Sequence, residues 1–263
     1  MLEIAAALVA LGALVAGGFA LWLSSVAKRD VSIVDSAWPL FFLLALVVYA
    51  STASTPVGSR GLLALVLVAV WAGRLSVYIT WRNHGKPEDH RYQAMRRRND
   101  PGFVWKSLFL VFGLQALLVW IIVAPLAVAV SGRSPLGGLD AAGVAVWALG
   151  FLFETVGDAQ LARFKADPAN GGKVMDRGLW RYTRHPNYFG EACLWWGYWL
   201  IAVAAGGAWT VFAPLLMTVL LLKVSGVALL ESDIAERRPA YRDYIARTNA
   251  FIPGLPRANG RAR

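Results

Sequence analysis

Cysteine is almost absent: the chain holds a single one, Cys193, inside an apolar run. One thiol excludes an intrachain disulfide and any cysteine-built metal centre. Histidine is nearly as scarce, and His84, His90 and His185 do not have the spacing of a zinc site, so no metal is expected. Charged residues make up only 16% of the sequence, with 16 acidic side chains against 26 basic ones. A net charge of +10 would point to nucleic acid in a water-soluble protein. Here 57% of residues are hydrophobic and the mean hydropathy is +0.51, so the excess of Lys and Arg reads as the basic side of a membrane protein. No nucleic-acid partner is expected. The apolar run 2–27 has no basic segment ahead of it and is followed by Lys28 and Arg29. That order argues for a retained span rather than a cleaved signal.

What is abundant is apolar length. A membrane helix needs about 20 mostly apolar residues. By that measure spans fall at 2–27, 33–50, 60–82, 104–130, 139–162, 187–206 and 209–231. The expected fold is therefore all-α, a polytopic bundle of seven transmembrane helices forming one integral membrane domain over 1–263. Basic residues gather in alternate loops: Lys28 and Arg29, Arg82 to Arg98, Arg163 to Arg184, and the tail from Arg237. The other loops hold only Arg60 and Arg133. This asymmetry places the N-terminus outside and the C-terminus in the cytoplasm, as in a bacterial inner membrane. Residues 257–263 read as a loose basic tail.

Ionisable groups within spans are costly and mark function by default. Asp35, Arg74, Glu154, Asp158, Lys223 and Glu231 are such groups, with Glu191 near the start of the sixth span. All sit in the cytoplasmic halves, and helix rise puts Arg74, Glu154 and Lys223 roughly 12 Å deep. The opposite half reads as free of charge. A polar cavity open to the cytoplasm fits this distribution better than a transport path, which would carry polar groups through the midplane. Glu154 and Asp158 share a helix face and require cations or donors opposite. A structural ion-pair network is the competing reading of these charges.

Residues 178–191, GLWRYTRHPNYFGE, concentrate the polar chemistry. His185 precedes Pro186 and is biased away from helix, while Pro186 suits a first helical turn. The N–H groups of Asn187, Tyr188 and Phe189 would then be free at the positive end of a helix, an anion site. Arg181 and Arg184 add phosphate-binding forks. Gly190 leaves room for a ring or sugar, with Glu191 as an acceptor beside it. Gly171, Gly172 and Gly178 allow close approach of the preceding loop. A basic aromatic linker lying on anionic lipid headgroups is the simpler alternative.

This segment resembles the C-terminal signature of the steroid 5-alpha-reductase family, in particular its bacterial branch of unassigned substrate. The frame Y-x-x-Y-x-x-x-T-x-x-F-I-P from Tyr241 to Pro253, and the run 154–161 with Glu154 at the family's Asn position, extend the likeness over 139–256; residues 1–138 diverge. The resemblance implies NADPH in a cytoplasm-facing cavity and reduction of a carbon–carbon double bond conjugated to a carbonyl in a lipophilic substrate drawn from the bilayer. It carries Asp158, Lys165, Asn187, Gly190, Glu191 and Tyr244 to the cofactor, with His185 and Tyr188 in the same segment and Arg74 as a further cofactor arginine. The family's Gln-Glu pair and tyrosine that meet the enone are missing, so Tyr78 and Asp35 are the nearest proton donors. A second resemblance, to isoprenylcysteine carboxyl methyltransferases, rests on Arg184 to Gly190 and Glu231 and implies S-adenosylmethionine. A transporter or receptor is the third class. Oligomeric state is not legible.

Overall fold

A backbone inside lipid must satisfy its own hydrogen bonds, so long apolar runs fold as helices. In the computed structural model the described residues are 4–54, 56–224, 226–227, 231 and 239–257, and they contain helices and no strand. Five of these helices are long and apolar enough to cross a membrane: α1 (Ile4–Lys28), α2 (Ile33–Ser51), α3 (Ser59–Asn83), α5 (Phe103–Ile122) and α7 (Gly138–Ala166). The remaining helices are α4 (His90–Asn99), α6 (Ala124–Ser131), α8 (Pro186–Val203), α9 (Ala208–Val224) and α10 (Ala240–Arg247). The chain is an integral membrane protein by these apolar helices. The basic tail beyond Arg257 and part of the expected seventh span lie outside the described residues.

The chain divides into two compact units, Met1–Gly137 with Ile201–Thr210, and Gly138–Leu200 with Val211–Arg263. In the first, α1, α2 and α3 pack together and α5 and α6 close around them. The expected span 104–130 is broken at Val123, where α5 ends and α6 starts with Pro125 in its first turn. Proline has no N–H to donate and marks a helix start. Arg60 is buried in the first turn of α3 and donates to Ser134 Oγ (2.8 Å) and to the carbonyl of Pro135 (3.0 Å). Asp140 is likewise buried in the first turn of α7. Buried charges therefore stand at the heads of both α3 and α7.

In the second unit α7 and α8 approach with almost nothing between them. Gly143, Gly150 and Gly157 recur every seven residues along α7, and Gly190 and Gly197 do so along α8. A Cβ on Gly150 would lie 2.5 Å from the Gly190 carbonyl oxygen, and one on Gly190 would lie 2.5 Å from the Glu154 nitrogen. One on Gly197 would meet the Gly143 carbonyl at 2.7 Å. Glycine is required here because backbone meets backbone, the packing that small residues give in membranes. The space beside Gly190 is thus taken by α7 and does not stand open for a ring.

Candidate functional site

In the first unit the loop after α3 forms α4, a helix that hydrophobic patterning does not reveal because ten mostly polar residues carry it. Tyr92 inserts into an apolar cluster with Trp22, Val34 and Phe103. Asp89 caps the helix by accepting from the Arg91 N–H (2.9 Å), as N-cap carboxylates do. Burial would raise the Asp89 carboxyl, but hydrogen bonds from the side chain and backbone of Arg91 outweigh it and hold the group below its ordinary value. Arg91 also donates to Asp35 Oδ2 and Tyr92 O–H to Asp35 Oδ1, each at 2.7 Å. Both oxygens of Asp35 are therefore engaged in fastening α4 to α2, which is not the proton-donor position expected of it. Asp35→Ala is expected to weaken this attachment by about 2 kcal/mol, the scale of hydrogen bonds to a charged group. Trypsin cleavage at Arg96 to Arg98 in purified protein should then accelerate by roughly thirtyfold through local opening. An unchanged cleavage rate would show that α4 is held by its apolar contacts alone.

Tyr78 lies on α3 with one guanidinium on each side. The Arg74 Cζ is 5.4 Å and the Arg82 Cζ 5.8 Å from its ring centre. A half-buried phenol between two cations can stabilise negative charge that develops beside it.

In the second unit Glu154 and Asp158 are both buried on α7. Asn187, at the start of α8, donates its Nδ2 to Asp158 Oδ1 at 3.3 Å. A carboxylate accepts only, so this contact orients the carboxamide. Its Oδ1 then points elsewhere, and among the described residues it is buried with no donor. Glu191, one helical turn on, is buried too. Of the three N–H groups expected free at this helix start, that of Phe189 donates to the His185 carbonyl (3.0 Å). The backbone nitrogen of Asn187 is packed near Gly157, 3.4 Å from where a Cβ there would sit.

Arg184 serves an internal contact. Its Nε and Nη2 meet the two oxygens of Glu231 at 2.7 and 2.8 Å, and its Nη1 donates to the carbonyls of Ile245 and Thr248. A phosphate would have to compete with all of these. His185 Nε2 is 2.9 Å from the same Glu231 oxygen, and its ring stacks on Tyr188. Sequence reasoning sets Glu231 among the charges within spans and joins it to Arg184 only through the methyltransferase resemblance, without foreseeing their ion pair. A buried Arg-His pair with an acid downstream is the signal that would have joined them.

The segment 178–185 is held from both sides. Trp180 Nε1 donates to the Gly157 carbonyl (3.0 Å), and Gln160 Oε1 accepts from the Leu179 N–H (3.0 Å). Gly178 adopts a positive φ of 58°, and the Gln160 amide fills the position of its absent Cβ. From the C-terminal side the Arg184 N–H donates to the Asn249 carbonyl (2.9 Å), the Gly254 N–H to Tyr182 (3.0 Å) and Thr183 Oγ1 to Phe251 (2.8 Å). Tyr244 is buried, which raises its phenol, and donates its O–H to the Trp180 carbonyl. Its position is that of a strut within this knot. Lys165 and Arg181 are exposed, the one at the end of α7 and the other on the outer side of the knot. Asp158 and Glu191, both buried, and the buried Oδ1 of the half-buried Asn187 remain as the polar groups around the head of α8.

Apolar helices with a buried polar floor define a polytopic membrane protein with a polar site built near the start of one helix. The family model described as "Protein of unknown function (DUF1295)" matches residues 21–248, and the chain belongs to this family, which lies in the steroid 5-alpha-reductase-like group. An uncharacterized protein of Schizosaccharomyces pombe is 26% identical over 270 residues, covering 90% of this chain and 77% of that one. No solved structure matches.

Proposed function

We propose that this protein is an NADPH-dependent membrane reductase of a carbon–carbon double bond conjugated to a carbonyl in a lipophilic substrate. The reading includes seven spans, an outer N-terminus and a cytoplasmic cofactor site in a bacterial inner membrane, supported by the distribution of Lys and Arg. The observation that carries it is Asn187: a buried carboxamide oxygen, oriented by Asp158 and lacking a donor among the described residues. Such an acceptor costs free energy unless a ligand N–H meets it, and the carboxamide of a nicotinamide offers one. Glu191 supplies a second acceptor one turn away, and Lys165 supplies an exposed cation for a phosphate; Arg181 lies on the outer side of the knot and takes no part in this reading. NADPH, when bound, supplies the hydride. Of the two proton donors expected from the sequence, Asp35 has both oxygens engaged, which leaves Tyr78 as the one to test by substitution.

Asn187→Ala is expected to weaken NADPH binding by about tenfold, the loss of one buried hydrogen bond, measured by nucleotide titration of the purified full-length protein. Wild-type protein that binds no nicotinamide nucleotide would end this proposal. A methyltransferase is the second reading, favoured by Glu231 meeting both Arg184 and His185. S-adenosylmethionine binding in place of NADPH, in the same titration, would select it.

A further inference from the structure

A second polar feature of the Gly138–Leu200 and Val211–Arg263 unit lies on the outer side of the knot. A cavity of about 640 Å³ is lined by Asp176, Arg177, Arg181, Arg247, Thr248 and Arg257, among others. Four guanidiniums face a single carboxylate there, and that carboxylate is taken by Arg247. Among the described residues the side chains of Arg177 and Arg181 meet no acceptor. The walls are fixed by backbone: the Arg257 N–H donates to the Arg247 carbonyl at 2.9 Å and the Gly254 N–H to Tyr182 at 3.0 Å. Arg257 is further held by Asn249 Oδ1 at 3.3 Å.

So much unbalanced positive charge in a formed cavity calls for an anion with several acceptor oxygens. The strap that carries Pro256 into the cavity wall also carries exposed apolar side chains, and these indicate which kind. Leu255, next to Pro256 in the cavity wall, is 85% exposed, and Ile252 is 68% exposed. These two side chains stand on a strap tied to the knot through the carbonyls of Asn249 and Phe251 and the N–H of Gly254. A fixed strap that presents branched aliphatic side chains beside arginines is suited to the membrane interface, where acyl chains and phosphates lie side by side.

We propose that this cavity binds the phosphate headgroup of an anionic phospholipid, with Ile252 and Leu255 set among the acyl chains. The inference does not rest on the nucleotide reading of α8.

The test uses full-length protein in neutral detergent and native mass spectrometry of retained lipid. Phosphatidylglycerol and phosphatidylcholine are compared for wild type, for Arg177→Glu, and for the double variant Arg177→Gln with Arg257→Gln. Retention of phosphatidylglycerol should fall about tenfold in the variants, with phosphatidylcholine and NADPH binding unchanged. Unchanged phosphatidylglycerol retention overturns the proposal, as does an equal fall for both lipids. Loss of NADPH affinity in the same variants, or displacement of the lipid by millimolar inorganic phosphate alone, would assign the cavity to a soluble phosphate and also overturn it. Wild-type protein that binds no NADPH leaves this result intact while removing the reductase reading, so the two failures are separable.

Discussion

Gly190→Leu should abolish the folded protein, and Gly190→Ala should lower its stability by about 3 kcal/mol, the upper range for overpacking a tight core. The reason is the identity of the colliding atoms. A Cβ at Gly190 meets the nitrogen and Cα of Glu154 and the carbonyl oxygen of Gly150, and backbone atoms cannot rotate aside as a side-chain tip can. The helices must move apart, and the contacts at Gly150 and Gly197 are lost with them. Gly12→Ala in α1 is the control, because a Cβ there meets nothing within 4 Å. It should be neutral or stabilising by up to about 1 kcal/mol through helix propensity. Thermal unfolding of detergent-solubilised protein, followed by size-exclusion recovery, separates the two. Equal recovery of the Gly190 and Gly12 variants would contradict the backbone contact.

Glu231→Ala should cost about 3–5 kcal/mol, because it leaves the Arg184 guanidinium buried with no counter-charge. The pair is well enclosed, with side-chain exposures of 8% and 16%, so solvent cannot replace the carboxylate. A fall in Tm of roughly 10 °C is expected for a chain of this size. Replacing both partners, Arg184→Met with Glu231→Met, should recover a large part of the loss, since an apolar pair leaves no charge stranded. A double variant as unstable as the sum of the two single ones would mean that the carbonyls of Ile245 and Thr248, rather than Glu231, are the main partners of Arg184.

The apolar helices were legible because lipid imposes one demand on every residue of a span, and α1, α2 and α3 lie where hydropathy puts them. The break at Val123 was half visible, in Pro125. α4 was not visible, since its hold on the protein comes from Asp35, Asp89 and Tyr92, groups that meet only in three dimensions. Within the site, the spacing of Asn187 from Pro186 announced a helix start. It could not tell whether Arg184 faces a ligand or Glu231, which lies 47 residues further on. The sevenfold spacing of glycines in α7 and α8 was present in the sequence. Read one residue at a time, Gly190 looked like space for a ligand; read with Gly150, it is a seam between helices.

Synthesis runs from the N-terminus to the C-terminus, and the knot at 178–185 draws on partners made much later. The Tyr244 bond to Trp180 spans 64 residues and the Thr183 bond to Phe251 spans 68. At about 5–20 residues per second, several seconds pass between the emergence of the segment and that of its strap. The loop at the head of α8 thus acquires its shape only after the strap at 244–254 has emerged, when helices α1 to α8 have already been made. A chain that has not yet reached its strap holds the helices without the bonds that shape this loop.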